Sequence, residues 1–145
     1  MTEPILIPVA AGELFDKKTI LEIKRQRIRD PQQRANVERE LQLLTGIADT
    51  VLAGLASPEP LERLATELRE INATLWDLEN AVRAHEKSGA FDQAFVDTAR
   101  GIYAGNDRRA AVKRQINLLL NSAIVEEKSH DGAVPAPARR CGNTI

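Results

Sequence analysis

The chain has 145 residues, of which 43% are hydrophobic and only 3% aromatic, and its formal net charge is −1. This length suits a single domain whose core is built from Leu, Ile, Val and Ala side chains. The near-neutral charge excludes a global electrostatic attraction to nucleic acid or to an acidic membrane, so any electrostatic function must depend on local clusters.

Cysteine and histidine are too sparse for the usual metal sites. The single cysteine, Cys141, cannot form an internal disulfide, and His85 and His130 lie far apart without ligand spacing. No apolar run approaches the roughly 18 residues of a membrane span, and the N-terminus lacks the pattern of a signal peptide. We therefore expect a cytoplasmic protein that uses no metal or other cofactor and has no membrane or nucleic-acid partner.

Residues 1–11 are predicted to form an extended arm. Pro4 and Pro8 flank the apolar run from Ile5 to Ile7, and prolines on both sides of a short run exclude a helix. A single extended segment has no second strand of its own with which to form backbone hydrogen bonds. We expect the arm to lie across the rest of the protein, and a contact in a symmetric homodimer is the alternative.

The next two segments carry the apolar periodicity of α-helices. The first is predicted from about Gly12 to Arg29, and Asp30 and Pro31 suit the N-cap and first turn of a second helix that ends near Leu55. Bases fall between or beside the apolar lines of the first helix, namely Lys17, Lys24 and Arg27. The second helix has an uninterrupted apolar stripe and is assigned to the scaffold: Val37, Leu41, Leu44, Ala48, Val51 and Leu55.

A third helix is predicted from about Pro58 to Lys87, with Gly89 as the residue that ends it. Its seven-residue apolar repeat is typical of antiparallel bundle packing. Three polar residues project into the same arc, namely Asn72, Glu79 and Arg83.

The fourth helix begins near Asp92, a candidate N-cap, and its apolar phase continues into the helix-forming stretch from Gly105 to Ser129. Two interpretations remain open. One long helix can pass through Gly101 and Gly105, or the chain can break at Gly105 so that Asp107 caps a new helix.

These elements predict an all-α fold. We expect an antiparallel bundle of about four main helices over residues 12–129, preceded by the extended arm. Residues 130–145 are rich in Pro, Ala and Gly without an apolar period, and they are predicted to form a disordered tail.

Helical phase places polar groups from three helices on inward faces, and bases outnumber acids among them. An unpaired ion in a core costs several kcal/mol, so these groups must either pair with one another or line a wet cleft. The candidate ligand-binding residues are Lys24, Asn72, Glu79, Arg109, Lys113 and Asn117.

Three functions are compatible with this polar cluster. In the leading hypothesis, a non-catalytic module binds a small anionic ligand or a partner through Lys24, Arg109 and Lys113. In the second, a cofactor-free mutase, lyase or transferase acts on an anionic metabolite, with Glu79 as the one catalytic candidate. In the third, the cluster is a structural core network in which Glu79 bridges Arg109 or Lys24.

Four motifs occur along the chain: GEL-x-DK-x-TILEIK, IN-x-x-LWD-x-E, ND-x-RA-x-x-KR-x-IN and S-x-x-x-EEKS. In these motifs, from about Ile7 to Ser129, the chain resembles a bacterial family of small proteins carried as a domain of unknown function. A tyrosine often follows the last motif in such proteins, whereas this chain has His130. In architecture alone, the predicted bundle is also similar to the all-helical chorismate mutases, which keeps the enzyme alternative open.

The family resemblance implies no particular activity, but it implies a recurring pattern of positions. These are Gly12, Glu13, Asp16, Lys17, Lys24, Asn72, Trp76, Asp77, Glu79, Asn106, Asp107, Arg109, Lys113, Asn117, Glu126, Glu127 and Lys128.

Overall fold

The computed structural model describes residues 2–130. Within them are four helices and no strand: α1 (Ala11–Arg27), α2 (Pro31–Ala53), α3 (Glu59–Ser88) and α4 (Gln93–Leu119). The predicted all-α bundle of four main helices is therefore confirmed. The predicted tail lies outside the described residues, except for its first residue.

Local capping signals start and stop these helices where the sequence indicates. The Asp30 side chain accepts a hydrogen bond from the Gln33 N–H at 2.8 Å, and Asp92 accepts one from the Phe95 N–H at 3.2 Å. Gly89 ends α3 in the left-handed conformation, with φ of 69°. Each signal depends only on neighbouring residues, which is why the sequence alone identifies them.

Helix α1 is the central element, because it packs against all three other helices. The main core lies between α1, α3 and α4 and also takes side chains from the end of α2. Its fully buried members are Phe15, Ala48, Leu61, Leu68, Ile71, Leu75, Val112 and Ile116. A smaller apolar cluster, formed by Leu21, Val37 and Leu41, joins α1 to α2.

The N-terminus of α1 meets the C-terminal turns of α4 at very short range. A Cβ on Gly12 would lie 2.5 Å from the Lys113 carbonyl oxygen, so only glycine fits there. The Gly12 N–H donates to Asn117 Oδ1 at 2.6 Å, and the Ala11 N–H donates to Ser122 Oγ at 3.1 Å. The first turn of α1 is therefore capped by side chains from the other end of the chain, since its own N-cap residue, Ala10, supplies none.

Helix α4 is continuous through Gly101 and Gly105, which decides between the two interpretations of the fourth helix. Gly105 lies against Leu75, whose Cδ2 would be 2.7 Å from an added Cβ, so glycine lets α3 and α4 approach closely.

The expectation that helix continues to Ser129 is wrong, because α4 ends at Leu119. Asn121 adopts a left-handed conformation with φ of 48°. The Asn121 N–H then bonds the Leu118 carbonyl, and the Ser122 N–H bonds the Asn117 carbonyl at 2.8 Å. This pair of bonds is a Schellman ending, for which asparagine is the usual substitute for glycine.

The expectation that the arm lies across the bundle is also wrong. Residues 2–10 form no helix or strand, as predicted for an extended segment, but Ile5 and Leu6 are both 90% exposed. The four helices fill the core with their own side chains, and of the arm only Ala10 is buried against them.

We predict that Gly12→Ala destabilises the protein by about 2 kcal/mol, because backbone rather than a flexible side chain blocks the new Cβ. Gly46→Ala is the matched control. Gly46 lies within α2 with nothing within 4 Å of an added Cβ, so this change should stabilise by about 0.5–1 kcal/mol. Urea unfolding of both variants measures the difference, and equal effects would contradict the close approach of α1 to α4.

Candidate functional site

Asp16, on α1, is a buried charge at the junction of three helices. Its side chain is 1% exposed, and both carboxylate oxygens accept hydrogen bonds from Arg109 of α4, from Nε to Oδ1 at 2.8 Å and from Nη2 to Oδ2 at 2.5 Å. Asn72 of α3 donates a third bond to Oδ1 at 3.0 Å. The carboxylate is thus fully paired, which a charge this deep in a protein requires.

The surroundings of Asp16 hold each partner in place. Thr19, one turn along α1, donates to the Asp16 backbone carbonyl at 2.9 Å and accepts from Asn72 at 3.0 Å. The hydrogen bonds that Arg109 donates to Asp16 raise the pKa of Arg109 above its ordinary value, although partial burial acts in the opposite direction. Arg109 is therefore a permanent cation, and its Nε and Nη2 donors are already bonded to Asp16.

Lys113 lies one turn further along α4 and is also buried, at 8% exposure. Its Nζ contacts Glu13 at 2.7 Å and Glu126 at 2.6 Å, and it lies 3.9 Å from Asp16 Oδ2. Burial lowers the pKa of Lys113, but the hydrogen bonds to Glu126 and Glu13 and the charge of Asp16 raise it by more. Lys113 consequently remains protonated at neutral pH.

Four of the six candidate ligand-binding residues lie in one continuous region. Asn72 and Arg109 share Asp16, Lys113 adjoins them, and Asn117 follows one turn later at the N-terminus of α1.

Glu79 and Lys24 do not join this network. Glu79 pairs with Arg83 one turn along α3 at 2.5 Å, so the prediction that it bridges Arg109 or Lys24 is wrong. Lys24 is half-buried on α1 and makes no ion pair within the described residues.

Three further bases predicted to face inward are in fact exposed. Lys17 pairs with Glu40 at 2.6 Å and Arg27 pairs with Asp77 at 2.6 Å, both on the surface, and the Arg83 side chain is 71% exposed. A long basic side chain can extend into solvent even when its Cα faces the interior. In addition, α1 packs against three helices, so its apolar positions do not define a single inward direction.

The predicted site lacked the acids that balance the bases. Asp16, Glu13 and Glu126 surround Arg109 and Lys113, so the expected surplus of cations is wrong for this cluster. All three acids belong to the motifs given above, and this was the signal in the sequence that could have identified them as site residues. A base-rich interior also requires acids nearby, since an unpaired buried ion is too costly.

A cavity of about 1550 Å³ lies between α4 and the segment that follows it. We call residues 121–130 the strap, because they run back along α4 without forming a helix. The cavity walls include Glu13 from α1, a long stretch of α4 with Arg109, Lys113 and Asn117, and the strap from Glu126 onward.

Asn117 contributes an unusual donor to this region. The residue is 1% exposed, and its Oδ1 accepts from the Gly12 N–H, which fixes the orientation of the amide. Its Nδ2 is buried and has no hydrogen-bond partner within the described residues. A buried unpaired N–H donor costs about 1–3 kcal/mol, so this atom requires an explanation.

A second cavity, of about 360 Å³, lies between α1, α3 and α4. Its walls include Asn72, Trp76, Glu79 and Arg109. Arg109 and Asn106 line both cavities, and the other predicted residues divide between them. Lys113 and Asn117 line the larger cavity, whereas Asn72 and Glu79 line the smaller one.

Residues 2–130, the part of the chain that the structure describes, contain neither a group of metal ligands nor a helix suited to cross a membrane. In that part of the chain, no three His, Cys, Asp or Glu side chains are grouped so that they could hold a metal ion. None of its helices combines the length and the apolar character needed to cross a membrane.

We predict that Arg109→Met destabilises the protein by about 3 kcal/mol, because it leaves the Asp16 carboxylate buried without its main partner. Arg83→Met is the control, since the exposed pair with Glu79 should contribute less than about 1 kcal/mol. Chemical denaturation measures both changes. If Arg109→Met were as stable as Arg83→Met, the Asp16–Arg109 pair would not be important for holding the three helices together.

The sequence matches the model of one protein family, described as "Family of unknown function (DUF6165)", over residues 5–143. No curated protein matches the chain, and no solved structure does. The match extends over nearly the whole sequence and confirms the predicted membership of a family without an assigned function. The chain belongs to DUF6165.

Proposed function

We propose that the protein is a non-catalytic module that binds a small anionic ligand in the larger cavity. The observation that carries this proposal is the buried Nδ2 of Asn117, a donor without a partner in a residue that lines the cavity. An oxygen of a carboxylate or phosphate group would accept from this donor and remove the cost of leaving it unpaired.

The bases of the cavity support an anionic ligand. Lys113 and Arg114 are paired with Glu126 and Glu127, whose side chains are 55% and 75% exposed. These carboxylates are largely in solvent and are hydrated once released, and an incoming anion would supply the negative charge that Lys113 and Arg114 then lack. Arginine would then offer a planar fork and lysine a point charge, the usual pair of groups for phosphate and carboxylate recognition.

The proposed site is narrower than the one predicted from sequence. Lys113 and Asn117 bind the ligand, and Arg114 joins them. Arg109 contributes positive charge but is held by Asp16, so its role is to position α4. Lys24 does not line either cavity.

The enzyme alternative has less support. Glu79, its candidate acid–base residue, lines the smaller cavity and bonds Arg83, whereas the exchangeable bases line the larger one. A general acid or base must lie within hydrogen-bond reach of the group that reacts. We therefore propose binding without chemistry, in a protein that we expect to be cytoplasmic.

Asn117→Asp tests the proposed site. The aspartate keeps an acceptor for the Gly12 N–H but replaces the Nδ2 donor with a second carboxylate oxygen, which repels an anion. In a thermal-shift screen of phosphates, nucleotides, sugar phosphates and dicarboxylates, we expect a hit that raises the melting temperature of the wild type. The Asp variant should bind that compound about tenfold more weakly or worse.

Asn36→Asp is the control for this test, because it makes the same chemical change at an exposed position of α2. It should leave the affinity unchanged. The proposal fails if no compound raises the melting temperature of the wild type by more than about one degree, or if Asn117→Asp binds as well as the wild type.

The exposed arm supports a second proposal, a homodimer. Ile5 and Leu6 are 90% exposed, and two copies of an extended arm can pair about a two-fold axis. Light scattering during size-exclusion chromatography should give the mass of two chains for the wild type and of one chain for Ile5→Asp/Leu6→Asp. A wild-type mass of one chain at high concentration would rule the dimer out.

A further inference from the structure

The strap, residues 121–130, returns along α4 and places its charges opposite those of the helix. Glu126 contacts Lys113 at 2.6 Å, Glu127 contacts Arg114 at 3.1 Å, and Lys128 contacts Asp107 at 2.6 Å. Two acids of the strap thus meet two bases of the helix, and the strap's base meets an acid.

The two ends of the strap are held very differently. Near its start, Ser122 accepts from the Ala11 N–H, donates its hydroxyl to the Ile124 carbonyl at 2.6 Å, and bonds the Asn117 carbonyl through its own N–H. Beyond Ile124, the polar contacts within the described residues are ion pairs, and the two glutamates among them are more than half exposed. Exposed pairs such as Arg114–Glu127 contribute little to stability and are weakened by salt, and the pair of Glu126 with the buried Lys113 needs another anion to replace it. This end of the strap can therefore leave α4 when an anion is supplied, while the start stays attached.

The charges of the cavity also point to the strap. From α1 and α4 the cavity receives three bases, Arg109, Lys113 and Arg114, and two acids, Glu13 and Asp107. The strap adds two acids and one base, which makes four of each sign. Detaching the strap therefore removes Glu126 from Lys113 and Glu127 from Arg114, while Arg109 stays neutralised by Asp16 and Lys113 keeps Glu13.

We propose that the strap is an intramolecular competitor for the ligand. The carboxylates of Glu126 and Glu127 occupy Lys113 and Arg114 in the free protein, and an anionic ligand displaces them and detaches residues 125–130 from α4. This inference rests on the proposed function, since it describes how access to the same cavity is controlled. It requires no covalent change, only an exchange of one pair of anionic groups for another.

Glu126→Gln/Glu127→Gln tests the competition, with pyrophosphate as the probe. Glutamine keeps the shape of both side chains but removes the competing charge. Calorimetric titration at low ionic strength should show about fivefold tighter binding than in the wild type, the equivalent of about 1 kcal/mol. Glu67→Gln/Glu70→Gln, which makes the same change in net charge on the exposed face of α3, should bind like the wild type.

Hydrogen–deuterium exchange supplies a second measurement on the wild type. Saturating pyrophosphate should accelerate exchange of the backbone amides of residues 125–130, whereas amides within α1 should not exchange faster. The proposal is overturned if pyrophosphate binds the wild type but the strap variant binds no tighter, if the α3 control tightens binding equally, or if strap exchange does not rise. In each of these cases anion binding itself survives. Absence of pyrophosphate binding in every variant would overturn the competition, and the proposed function would then be decided by the thermal-shift screen and Asn117→Asp.

Discussion

The carboxylate of Asp16 lies where water scarcely reaches it, and an ion in that position must find all its partners within the protein. Arg109 supplies two hydrogen bonds from α4 and Asn72 supplies one from α3. Because the three residues come from different helices, the carboxylate is satisfied only when α1, α3 and α4 adopt one relative register. Apolar contacts carry no such directional requirement, which is how a buried polar pair can restrict the register of packed helices.

The same register brings the N-terminus of α1 onto the end of α4. The first N–H groups of α1 have no partner within their own helix, and side chains from the end of α4 and the turn after it accept from them: Asn117 from Gly12 and Ser122 from Ala11. That arrangement also places the strap beside Lys113. The structural network and the proposed binding site are therefore adjacent, but they differ chemically. Arg109 bonds a buried acid, whereas Lys113 bonds two acids that are partly or largely exposed, Glu13 and Glu126.

Much of this architecture follows from local patterns in the chain. Helix periodicity predicts four helices, and Asp30, Gly89 and Asp92 mark ends that depend on nearest neighbours. The inward positions of Asn72 and Lys113 follow from the same periodicity. Asparagine is a common residue in the left-handed turn that ends a helix, so the turn at Asn121 has a local signal. The hydrogen bond between Ser122 and Ala11 of α1 joins distant parts of the chain, and no local pattern predicts it.

The sequence by itself determined the fold class, most helix limits and the presence of ionic groups inside the bundle, because these depend on periods of a few residues and on nearest-neighbour hydrogen bonds. Only the tertiary structure decided which charged side chains form ion pairs with one another. The rotation of α1 between three neighbours buries Asp16 and leaves Lys17 and Arg27 in solvent, and the turn after α4 brings Glu126 to Lys113. Pairing energies depend on distances across helices, and those distances are set by packing rather than by spacing along the chain.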